Sequence, residues 1–252
     1  LAVYGGAMLD SVWPSAPAPG DAPARRSVPG TLMAAGTLAL ALLWALTFSG
    51  MYGAGEHPWV AASYWIDENV PSGSTLATEH WDYALPVRMR GLSGRYEFVE
   101  LEWFYVEDRL GRERDRVELA TALDLLAEAD YLILASNRLY GVIPRLADRF
   151  PEAAAYYRLL FSGELGWELV HWSGRYPSLD GWVLADDTLG RPGLPLPEAM
   201  REWRPGDVTL VLGPADESYT VYDHPLVLIF ENRARLPADD LEALVRQEAR
   251  GH

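Results

Sequence analysis

From residue 27 to residue 55 the chain carries no charged side chain, and the stretch TLMAAGTLALALLWALTFSG over residues 31–50 shows no polar face. Twenty residues at 1.5 Å rise cover about 30 Å, the hydrocarbon thickness of a bilayer. A helix buried in a globular core usually keeps a polar stripe. A signal peptide has a shorter apolar run behind a basic start. The pattern predicts a transmembrane helix over residues 31–52, with Trp44 and Tyr52 toward an interface. The preceding SAPAPGDAPARRSVPG is rich in Pro and Ala and reads as a flexible loop within residues 1–30. Residues 1–9, LAVYGGAML, are apolar, as the end of an earlier membrane helix would be.

Beyond the apolar run the pattern turns amphipathic. In residues 58–70, Trp59, Ala62, Ile66 and Val70 share one helical face, and Pro58 suits a first turn. TLATE at residues 75–79 reads as a short strand, and residues 96–104 are β-prone without a clear period. Residues 115–128 form an amphipathic helix opened by acids. YLILAS at 131–136 is a continuous apolar run, as in strands covered on both faces. Residues 139–149 and 151–161 read as two helices split at Pro151; WELVHW at 167–172 alternates like a strand. Residues 173–205, rich in Gly, Pro and Asp, read as a long loop, and 208–212 as a strand. Residues 219–222 and 226–231 flank Asp223-His224-Pro225 and read as a hairpin, before a final helix at 237–247. The expected fold is therefore α/β. One transmembrane helix precedes a domain over residues 53–252, with a mixed, partly parallel sheet and a C-terminal β-hairpin.

Charge and composition narrow the partners. A formal net charge of −15 disfavours nucleic acid and any surface held by anionic headgroups. No Lys is present, so every strong base is Arg. The absence of Cys excludes disulfides, thiol nucleophiles and zinc–thiolate centres. Arg25 and Arg26 precede the apolar run, whereas Glu56, Asp67, Glu68, Glu79 and Asp82 follow it before the first Arg at Arg88. The positive-inside rule then places residues 1–30 in the cytoplasm and 53–252 outside.

Candidate chemistry gathers where strands end, since open α/β sheets collect ligands at the carboxyl ends of their strands. Glu79, His80 and Asp82 follow the first strand: a metal- or proton-handling group, or a polar turn around Trp81. Asn137, Arg138 and Tyr140 follow YLILAS. Arg138 suits a phosphate or carboxylate, or is a surface Arg beside an Asn137 helix cap. Asp223 beside His224 reads as an acid–base pair or as turn chemistry, and Asp186-Asp187 as a weak metal–nucleotide signal. Trp81, Trp103, Tyr140, Trp172 and Tyr176 offer sugar-stacking faces or core mass. No P-loop, GxGxxG, GxSxG, HExxH or EF-hand loop is present, so no catalytic residue, metal site or cofactor is assigned.

Four segments form an ordered series: ASYWIDENVPSGSTLATEHWD (61–82), ADYLILASNRLYGVIPRL (129–146), RFPEAAAYYRLLFSGELGWELV (149–170) and ADESYTVYDHPLVLIFEN (215–232). Together they resemble the C-terminal extracytoplasmic region of bacterial dolichyl-phosphate-mannose–protein mannosyltransferase-like enzymes, of GT-C architecture and glycosyltransferase family 39-like, in their Chloroflexi-type versions. The resemblance covers about residues 30–232. It implies a multi-spanning enzyme of the cell membrane that uses a polyprenyl-phosphate sugar as donor and a glycan or protein as acceptor. It also implies a catalytic acid in the first outer loop, upstream of this chain. The domain would then be non-catalytic, shaping the acceptor side or bracing the remaining membrane helices, with Glu79, His80, Asp82, Asn137, Arg138 and Tyr140 as candidate contacts. The loop 174–214 is longer than that pattern. The alternative is a single-pass anchored binding or assembly module without catalysis, and a third reading is a stand-alone enzyme using Glu79, His80 and Asp82.

Overall fold

The computed structural model describes residues 28–53, 55–103, 112–190 and 192–251. The expected loop of residues 1–30 lies outside the described residues up to position 27. Helix α1, Val28–Gly53, has 26 residues and no charge. It is about 39 Å long, enough to cross a bilayer. Leu32, Leu38, Leu40, Leu42, Leu43 and Leu46 are all exposed along its length. An exposed apolar surface of this extent marks a site of contact with lipid or with another protein.

Helix α2, Pro58–Asn69, begins with Pro58 and with His57, whose Nδ1 accepts from Trp59 N. Strands β1, Thr75–Glu79, β2, Glu97–Leu101, and β3, Tyr131–Leu134, follow, with helix α3, Arg112–Glu128, between the last two. Helix α4, Pro151–Ser162, leads to β4, Trp167–Ser173. Then come β5, Ser178–Leu179, β6, Trp182–Ala185, β7, Val208–Val211, the single-turn helix α5, Glu217–Thr220, strand β8, Val227–Asn232, and helix α6, Ala238–Gly251.

Two mixed sheets result. The larger has the order β2-β1-β3-β8-β4. β1 runs parallel to β2 and β3, while β8 is antiparallel to both β3 and β4. Period-2 alternation divides the strand side chains between two cores. Tyr131, Ile133, Val227 and Ile229 pack with Ala62 and Ile66 of α2 and with Val70 just past its end. Leu132, Leu134, Leu228 and Phe230 face Leu123 of α3, Leu160 of α4 and Val245 of α6. That double cover explains why YLIL is buried at all four positions.

Three expectations are corrected. The C-terminal hairpin does not form: Asp216 accepts from Ser218 N and caps α5, and Pro225 has no N–H to give a ladder. Strand β8 instead takes β3 and β4 as neighbours. Residues 139–149 are not an α-helix; Pro144 leaves a run of turns and a 3₁₀ turn at Ile143–Leu146. Residues 173–205 are not all loop. Asp180 and Gly181, both at positive φ, close a two-residue hairpin that pairs Leu179 with Trp182. β6 then pairs in parallel with β7 to complete a three-stranded sheet.

Candidate functional site

The carboxyl edge of β1 and β3 lies beside the end of α1. Tyr52 Oη donates to Asp223 Oδ1 at 2.6 Å. His57 Nε2 lies 3.0 Å from Tyr222 O, and its Nδ1 already accepts from Trp59 N, so Nε2 carries the proton. Arg175, just past β4, donates from Nη1 to Met51 O at 2.9 Å. It satisfies a carbonyl that the last helical turn leaves open and places a cation at the negative helix end. Phe48 meets the rings of Tyr219 and His224, and Met51 is buried. The last turns of α1 are therefore packed into the domain.

At that edge five polar pairs tie separate elements together. Tyr157 Oη, from α4, donates to Glu79 Oε1 at 2.7 Å. Ser136 Oγ donates to Asp82 Oδ2 at 2.9 Å, and Tyr83 N to Asp82 Oδ1. Thr220 Oγ1 donates to Asn137 Oδ1 at 3.0 Å. Arg138 donates from Nη1 to Trp81 O at 2.8 Å and from Nη2 to Tyr222 Oη at 2.6 Å, with its guanidinium 5.4 Å from the Tyr222 ring centre. Trp81 has φ of 73°, a sparsely populated value for a bulky residue. The Arg138 bond to its carbonyl helps hold it, and its indole is exposed.

Burial dominates the electrostatics. Glu79 is pushed up to about 8 by desolvation, which the Tyr157 hydroxyl opposes and Asp82 reinforces. Its Oε2 is buried without a hydrogen-bond partner, so the carboxyl holds a proton at neutral pH. Burial also raises the Asp82 carboxyl, against the Tyr83 and Ser136 donors that favour its anion.

The six residues singled out in the sequence do not form one group. Glu79 points into the core toward Tyr157, while His80 Nδ1 pairs with Glu100 Oε1 at 2.6 Å. Asp82 turns to Ser136. The strand alternation that separates Glu79 from His80 breaks up the imagined triad. Asn137 bonds across to α5 and does not cap a helix with its side chain, and Tyr140 is fully buried with Oη 3.4 Å from Leu226 O. Trp103 and Tyr140 are core residues, unavailable for stacking on a sugar. Asp223 bonds to Tyr52, while both ring nitrogens of the buried His224 lack partners, so the two do not act as a pair. Among the described residues no three His, Asp or Glu side chains converge as metal ligands.

Sequence reasoning missed Tyr157, Thr220, Tyr222 and Tyr52. Each reaches the edge from an element distant in sequence, and none carries a local spacing signal. Two hollows flank the cluster. A groove of about 1100 Å³ runs beside Trp59, Tyr83, Arg88 and Arg90, with Trp59 and Tyr83 stacked at 5.1 Å. A cleft of about 660 Å³ lies under β7, lined by Tyr176, Asp186, Asp187, Trp203 and Asp207. Asp186 accepts from Thr188 Oγ1 and Asp187 from Gly190 N, so both acids shape their own loop. No protein-family model, curated protein or solved structure matches this chain.

Proposed function

We propose that the chain is the C-terminal part of an integral-membrane glycosyltransferase that moves a sugar from a polyprenyl-phosphate donor to an extracytoplasmic glycan or protein. In this reading α1 spans the cell membrane and the α/β domain lies outside, serving the acceptor side and bracing the membrane helices, with the chemistry supplied elsewhere. The observation that carries it is the placement of the strand-end cluster at the end of a bilayer-length helix, through Tyr52–Asp223 and His57–Tyr222. A lipid-linked phosphate sits at that level of a membrane. Arg138, half-buried there, has the planar donor fork that suits a phosphate in exchange for Tyr222.

The test is thermal unfolding of the full chain in detergent with a polyprenyl phosphate or the matching polyprenol. A ligand of the folded state raises the midpoint. The phosphate should raise it, the polyprenol should not, and Arg138→Gln should reduce the rise. Equal curves with and without the phosphate would count against the reading. They would favour a single-pass binding or assembly module without catalysis. That second reading has its own support: Arg138 and Asp82 are satisfied internally, and Glu79 is half satisfied by Tyr157.

A further inference from the structure

The three-stranded sheet carries an apolar face that its own domain does not cover. Leu179 pairs with Trp182, Trp182 with Val208, and Leu184 with Leu210, so alternation puts all five on one face, with Leu212 two residues beyond Leu210. Leu179, Trp182, Val208, Leu210 and Leu212 are between 38 and 60% exposed. On the opposite face Val183 and Ala185 of the central strand are buried, while Val211 at the end of edge strand β7 is exposed. A soluble sheet would present polar residues here. From Val208 to Ala215 no residue is charged.

This face is continuous with α1. The helix crosses β5 at Gly50, where a Cβ would run into Ser178 O. Leu184, Leu212 and Pro214 line a small cavity together with Trp44. Trp44 lies six residues before Gly50, about 9 Å along the helix, toward the segment whose leucines are exposed. The Leu184–Leu212 end of the sheet is thus set alongside the apolar helix, on the bilayer side of the crossing. β7 is an edge strand among the described residues. Its outer backbone groups need water or headgroups, which fixes the depth at the interface and not in the hydrocarbon centre.

We infer that the apolar face of the β5-β6-β7 sheet is seated in the lipid of the leaflet nearest the domain, beside α1. The sheet and the helix then hold the strand-end cluster at a set height and tilt above the membrane. The occupant is lipid, and zwitterionic lipid suffices, because residues 208–215 carry no charge and the acid at the inner end, Asp186, beside Leu212, could meet only a neutral or zwitterionic headgroup without repulsion. The inference rests on the spanning of α1 but not on any glycosyltransferase activity.

The chain lacks Cys, so single-Cys variants label uniquely. The full chain is reconstituted in phosphatidylcholine nanodiscs and labelled with a nitrobenzoxadiazole at Leu210→Cys or Leu212→Cys. Leu38→Cys serves as the mid-helix reference, and Glu164→Cys at the opposite edge of the large sheet as the solvent reference. Shallow doxyl-labelled lipid should quench the probes at positions 210 and 212 at least about twofold more than at 164, with blue-shifted emission. Water-like emission with iodide quenching at 210 and 212, while 38 is quenched by lipid, would overturn the seat and leave the span intact. Shielding of 210 and 212 from both quenchers would also overturn it, since protein would then be the cover. A Leu38 probe that iodide reaches would sink the span and the seat together.

Discussion

At the buried end of β1, desolvation raises the Glu79 carboxyl, and among the described residues the hydrogen bond it accepts comes from Tyr157. The consequence for stability has a definite sign. The unfolded chain releases this proton near the ordinary value of 4.5, the folded chain at about 8. Between the two the folded state binds more protons, so stability is greatest below that window and falls as pH rises through it. The slope is at most about 1.4 kcal/mol per pH unit for one group. Glu79→Gln cannot titrate and still accepts from Tyr157. Unfolding of the full chain in detergent, followed from about pH 5 to about pH 8, should show the wild type losing stability relative to the Gln variant as pH rises. Parallel curves would mean that Glu79 ionises in the ordinary range. His224 runs the other way: burial holds it neutral with neither nitrogen paired, so its share of stability is present above the ordinary 6.5 and is lost on acidification.

Among the elements, α1 and β5 meet through backbone, and Gly50 makes that approach possible. Gly50→Ala adds helix propensity of up to about 1 kcal/mol, but its Cβ meets a carbonyl that cannot swing away. Overpacking of this kind costs about 1–3 kcal/mol and should win. Gly36, with nothing near its missing Cβ, is the control. Thermal unfolding of the full chain should show Gly50→Ala destabilised and Gly36→Ala neutral or stabilised; equal effects would contradict the crossing. The same contrast between local and distant causes explains what the sequence could reveal. YLIL was readable because both faces are covered, and α2 because Ala62, Ile66 and Val70 repeat at helical spacing. Asp180-Gly181 was a readable turn signal obscured by the surrounding Gly and Pro. β8 was readable as a strand, but its pairing was not, because its partners lie at residues 131–134 and 167–173 and no local pattern points there. At the site, the positions of Glu79, Asp82 and Arg138 were legible as strand ends. Their partners were not, since Tyr157, Ser136 and Tyr222 are chosen by tertiary packing.

For the whole molecule, with α1 spanning a membrane as proposed, the membrane surface is the organising plane. The apolar helix, the uncovered sheet face and the carboxyl edge of the parallel strands all lie toward one end of the domain, and the edge with Asp130, Glu164 and Arg233 lies at the other. The most direct test of this arrangement is membrane-impermeant maleimide labelling of single-Cys variants of the full chain in sealed phosphatidylcholine vesicles. Cysteines at Leu32, Leu38, Leu42 and Leu46 should be unreactive until detergent is added, and Cys at Glu164 should react from one side of the vesicle only. Ready labelling at Leu38 and Leu42 in intact vesicles would contradict a spanning helix, and with it the placement of the domain at the membrane surface.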